Sequence, residues 1–86
     1  MAGMELGSKP KGEDMIKFSC TRADVGEIHY ATVVAETEQE AKDMSVAESN
    51  KRRRGSGGRA RHWTASVLES DVPGPARVLD SGYRDA

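Results

Sequence analysis

Cysteine is nearly missing from this 86-residue chain: Cys20 stands alone, which excludes an internal disulfide and suits a reducing compartment. Aromatic side chains are almost as sparse, with one Trp, one Phe and two Tyr, so the core has to be built mainly from small aliphatic residues. No apolar run approaches the roughly 20 residues of a membrane-spanning helix. The first residues also lack the apolar centre of an export signal, so a soluble, cytoplasmic protein is expected. Catalytic motifs are missing as well. Cys20, His29 and His62 are the residues to weigh as metal ligands or as a nucleophile with its base, but no C-x-x-C or H-x-x-x-H spacing links them. Gly55-Ser56-Gly57-Gly58 has no Lys-Ser/Thr after it and follows a helix instead of a strand, unlike a phosphate-cradling loop. No enzymatic activity, metal or cofactor is expected.

What the chain does have is charge, unevenly placed. Six of its thirteen Lys and Arg fall between positions 51 and 61: Lys51, Arg52, Arg53, Arg54, Arg59 and Arg61. The formal net charge is −1, so the rest of the chain, with seven cations against fourteen acids, sums to −7. A separation of this kind favours a charged macromolecular partner over small-molecule chemistry.

The residue order predicts an α+β fold, a single small domain of ββαββ order. Residues 1–14, with three glycines and a proline, read as a disordered lead. From Met15 to Arg22, Ile16, Phe18 and Cys20 alternate with Lys17, Ser19 and Thr21, the period of a half-buried strand. Ala23-Asp24-Val25-Gly26 favours a reversal, and a second strand over positions 27–35 should close a hairpin. There Ile28, Tyr30, Thr32 and Val34 share one face while Val33 and Ala35 take the other, so a bulge that switches the register is expected. Thr37-Glu38-Gln39-Glu40 matches a capping box and starts a helix with an apolar stripe of Ala41, Met44 and Ala47, Val46 at its margin. Gly55 to Gly58 ends it. A third strand is expected over 61–69, then a break at Pro73-Gly74-Pro75, a short fourth strand over 76–80 and a polar tail over 81–86. The domain proper is thus 15–80, one helix on a mainly antiparallel four-stranded sheet. A core this small predicts a homodimer or a life bound to a partner.

The stretch from Lys51 to Trp63 admits two readings. In one, its guanidinium groups grip phosphates or an acidic protein surface, with Trp63 as a stacking anchor. In the other, it is a solvated, disordered connector. The acidic helix, with Glu36, Glu38, Glu40, Asp43 and Glu48, could imitate a row of phosphates, although an ordinary exposed helix face accounts for it more simply.

In this ββαββ order, the segment Val33-Val-Ala-Glu-Thr-Glu-Gln-Glu-Ala-Lys42 runs from strand end to Thr cap to a helix with alanine four residues on. It resembles small phage and mobile-element proteins, and over positions 15–80 the order and size are similar to type I-F anti-CRISPR inhibitors. That resemblance implies a non-enzymatic protein, working in a bacterial host cell, that binds an RNA-guided surveillance complex and blocks its engagement of target DNA. Lys51, Arg52, Arg53, Arg54, Arg59 and Arg61, with Trp63, are the residues expected to make the contact. The alternative is a small nucleic-acid-binding or regulatory protein that uses the Arg/Gly stretch as a phosphate strap, and a structural or assembly protein is a third class.

Overall fold

The computed structural model describes residues 14–85; the lead expected over 1–14 lies outside them except for Asp14. Four strands and one helix follow in the order β1 (Met15–Asp24), β2 (Glu27–Ala35), α1 (Glu38–Arg52), β3 (Thr64–Val72) and β4 (Arg77–Asp85), with a single 3₁₀ turn, Ala60–His62, before β3. All pairings are antiparallel and the sheet order is β3-β1-β2-β4. The α+β class and ββαββ order expected from the sequence are those observed.

The hairpin pairs Asp24 with Glu27 across Val25-Gly26, where Gly26 takes φ 76, a left-handed conformation open to glycine at little cost. The β1–β2 ladder then runs without interruption from Asp24–Glu27 to Ile16–Ala35, so the register switch expected inside β2 does not occur against β1. Strict alternation is kept because both faces of β2 are covered at its C-terminal end. Ala31, Val33 and Ala35 pack under the helix with Phe18, Cys20, Ala41 and Trp63, while Val34 points the other way into a second cluster with Met15 and Val72. The link 73–76 makes that second cluster by crossing from one sheet edge to the other at this end, with Ala76 packed against it. The register does shift on the outer side, against β4 between Thr32 and Val33.

The helix cap forms as read: the Thr37 hydroxyl accepts from the Glu40 N–H at 3.1 Å, and Glu40 Oε1 accepts from the Glu36 N–H at 2.8 Å. The buried stripe differs from the apolar one. Ala41, Ser45 and Ser49 are buried, Met44 and Val46 partly so, and Ala47 is exposed. Residues at i, i+4 and i+8 keep to one side of a helix, and two serines can lie there because their hydroxyls are satisfied locally, Ser45 Oγ donating to the Ala41 carbonyl at 2.9 Å. Small side chains bring the helix close to the sheet.

Strand bounds move: β1 runs on past Arg22 to Asp24, and β3 past Glu69 to Val72. β3 begins at Thr64, since residues 60–62 turn before the strand, and β4 runs on through Ser81 to Asp85 because Tyr83 and Asp85 pair with His29 and Glu27. Residues 81–85 are strand here instead of tail. Phe18→Ala should cost roughly 3–5 kcal/mol in urea unfolding, the range for a buried aromatic, while Val67→Ala, 58% exposed although it lies opposite Phe18, should stay within about 0.5 kcal/mol.

Candidate functional site: the cationic end

Strand register gathers the charges at one end of the molecule. The β1–β2 turn, the last turn of α1, the start of β3 and the end of β4 share that end. It holds Arg22, Lys51, Arg52, Arg53, Arg54, Arg59, Arg61 and Arg84 against Asp24, Glu27, Glu48 and Asp85. The opposite end carries the first helical turn with Glu36, Glu38 and Glu40, the end of β3 with Glu69 and Asp71, and Lys42 and Arg77 among the few cations. The charge separation read along the chain is therefore also a separation in space.

The stretch after the helix is tied down. The Ser56 hydroxyl donates to the Ser49 carbonyl at 2.7 Å, which leaves the Ser49 hydroxyl to donate to Ser56 Oγ at 2.8 Å. Gly57 N–H donates to Asn50 Oδ1 at 2.8 Å, and the buried Trp63 donates its indole N–H to the Gly57 carbonyl, also at 2.8 Å. The Arg22 guanidinium reaches the Ser56 carbonyl from β1. A Cβ on Gly57 would collide with the Val46 carbonyl oxygen, so only glycine lets the returning chain lie this close to α1. Two backbone passes are thus stitched together, and the reading of Lys51 to Trp63 as a disordered connector does not describe this loop.

The seven residues expected to make contact then part company. Lys51 pairs with Glu48 at 3.4 Å, and Arg52 donates to Ser81 Oγ at 2.5 Å. Arg53 donates to Glu27 Oε1 at 2.8 Å and sits 5.3 Å from the Tyr83 ring centroid. Trp63 is 3% exposed, so its ring has no face to offer a base and it works as the pin beneath the loop. Arg54, Arg59 and Arg61 are exposed and their side chains enter no ion pair among the described residues. The Arg59 backbone N–H is used, donating to His62 Nδ1 at 3.2 Å.

Sequence reasoning missed what lies under these arginines. His29 and Arg22 are register neighbours on the helix side of the sheet. His29 is 1% exposed, and its Nδ1 and Nε2, like Arg22 Nε, are buried without a hydrogen-bond partner. Its Nε2 lies 3.3 Å from Glu27 Oε1 without forming a hydrogen bond. Tyr83 closes the group, its ring centroid 6.0 Å from that of His29. The alternation of β2 gave the signal that His29 shares a face with Ala31 and Val33; nothing in the sequence said that this face would be covered so far toward the turn. At the turn itself, a hydrogen bond from the Val25 N–H, at 2.7 Å, lowers the Asp24 pKa.

Of the three residues weighed as metal ligands or catalytic partners, Cys20 and His29 share the helix side of the sheet as diagonal neighbours across the β1–β2 ladder. Cys20 is buried under α1 and His62 is exposed in the 3₁₀ turn, and no group of three His, Cys, Asp or Glu side chains that could hold a metal is found among the described residues. Burial pushes the Cys20 thiol pKa up, partly offset by a hydrogen bond with Ser45. No helix among the described residues is long and apolar enough to cross a membrane. Comparison with protein-family models, with curated proteins and with solved structures finds no match to this chain.

Gly57→Ala should destabilise the fold by about 1–3 kcal/mol, the usual cost of forcing atoms into a packed site, and Trp63→Phe by a similar ~1–3 kcal/mol for the orphaned Gly57 carbonyl; urea unfolding followed by far-UV circular dichroism reads both. Cys20 should resist alkylation by iodoacetamide in the native state and react once urea unfolds the chain, because the thiolate is the reactive form and it is disfavoured here.

Proposed function

We propose that this chain is a non-enzymatic interaction protein of phage or mobile-element type, which inhibits a host defence nucleoprotein by seating Arg54, Arg59 and Arg61 on an anionic surface of it. The observation that carries this reading is a loop already ordered by its own hydrogen bonds that nevertheless leaves three guanidinium groups exposed and without an ion pair among the described residues. Side chains on a fixed loop lose less freedom on docking than they would on a flexible tail. Guanidinium forks also suit phosphate or carboxylate groups better than ammonium groups do. Arg52 and Arg53 have partners within the fold and must give up Ser81 or Glu27 before they can contribute.

A second reading keeps the same residues and changes the target: the loop is a strap for DNA or RNA. It is favoured by the twenty residues from Ser49 to Leu68, which contain no Asp or Glu and so put no carboxylate along the loop to repel phosphates.

The deciding experiment compares the wild type with a triple variant, Arg54→Gln, Arg59→Gln and Arg61→Gln, in pull-down from cells carrying an RNA-guided effector and in gel shift with the protein alone across a salt series. Inhibition predicts recovery of a nucleoprotein by the wild type, its loss in a folded triple variant, and restored interference. A direct strap predicts protein-only binding with a slope of log affinity against log salt near about −3 for three phosphates. If the triple variant keeps full activity in a folded state, neither reading stands.

A further inference from the structure

The two outer strands of the sheet are not alike. The β4 edge carries Arg77, Asp80, Arg84 and Asp85, contains Gly82, and shifts register against β2. Charges and irregularity of that kind discourage another strand from adding to an edge. The β3 edge has no such guard over Thr64-Ala-Ser-Val-Leu68, five residues without a charge, proline or glycine. Val67 is 58% exposed and Leu68 54%, and the backbone side facing away from β1 has no neighbouring strand among the described residues.

What flanks those five residues selects the occupant. On one side the chain leaves the strand at the Ala60–His62 turn, preceded by Arg59 and containing Arg61. On the other, the pairing with β1 shifts beyond Val67, and Glu69 and Asp71 follow. The regular part is therefore centred on Ser66, acidic at one end and basic at the other. A parallel partner of the same sequence would set acids beside acids. An antiparallel one centred on Ser66 places Thr64 across from Leu68 and Ala65 across from Val67, and turns the acidic end of each strand, with Glu69 and Asp71, toward the basic turn of the second copy, with Arg59 and Arg61.

We propose that β3 pairs antiparallel with β3 of a second copy of this chain, about a two-fold axis through Ser66, joining two four-stranded sheets into one of eight. Each copy supplies the same surface, as a two-fold interface requires. Val67 and Leu68 gain cover against Ala65 and Thr64 of the other copy, and the alternate residues whose N–H and C=O point away from β1 gain ladder hydrogen bonds. Ser66 points away from the helix, as its register partner Ser19 does, so its substitution leaves both apolar clusters untouched.

The test is sedimentation equilibrium of the chain alone, over a concentration series, for wild type, Ser66→Lys, Ser66→Glu and their equimolar mixture, with circular dichroism and urea midpoints confirming the monomer fold. The wild type should approach twice its 9.3 kDa chain mass. Each variant by itself sets like charges face to face on the two-fold axis and should raise the dimer dissociation constant about fivefold. The mixture should recover a heterodimer at least as tight as the wild type. A wild type that stays monomeric at every concentration overturns the proposal. So do two variants that dimerise like the wild type, a mixture that shows no recovery, or an edge that captures an added extended peptide but not a second copy. Because no nucleoprotein enters these measurements, their failure is distinct from failure of the inhibitor reading.

Discussion

The contact on which the rest of this structure depends is the close pass of residues 56–58 beneath the C-terminal half of α1. The carbonyl of Gly57 receives the Trp63 indole, its N–H goes to Asn50, and its missing side chain makes room for the Val46 carbonyl. The helix end, the start of β3 and the core are thereby fixed to one another through Gly57, with Ser56 bonded beside it to Ser49 and Arg22. Without that pass, Trp63 would have no acceptor for its N–H and the arginines on either side would have no defined relation.

Packing under the helix follows from the same need for close approach. Ala41, Ser45 and Ser49 are small enough for α1 to lie low on β1 and β2, and each serine hydroxyl finds a partner on its own helix or on the returning loop. A larger apolar stripe would have lifted the helix away and left Phe18 and Trp63 less covered. The cost shows at the cationic end, where Arg22 Nε and both ring nitrogens of His29 are buried with no hydrogen bond. Buried polar atoms without partners are unfavourable, and here they accompany the burial of His29 between the sheet and the Arg53–Glu27–Tyr83 group.

Function and packing divide the basic stretch between them. Lys51, Arg52 and Arg53 sit where the helix and sheet supply partners, whereas Arg54, Arg59 and Arg61 project from the stitched loop. A linear count of cations treats them alike. The fold distinguishes them because a guanidinium already bonded within the molecule must break that bond before it can meet another surface.

Several features could be read from residues alone because they rest on local chemistry. The alternation of β1, the glycine in the first reversal, the Thr37 cap and the break at Pro73-Gly74-Pro75 each involve neighbours within a few positions. The ββαββ order followed from them, and so did the uneven distribution of charge. Other features needed the tertiary structure because they are set by residues far apart in sequence: β4 extends to Asp85 only because β2 is there to pair with it, and Ala47 yields to Ser45 and Ser49 because the sheet meets the helix on that side. Trp63 is turned inward with Gly57 as its acceptor, and three of the six clustered cations have no ion pair among the described residues. Sequence determined which elements form; the long-range contacts decided which face of each is covered and which charges stay available.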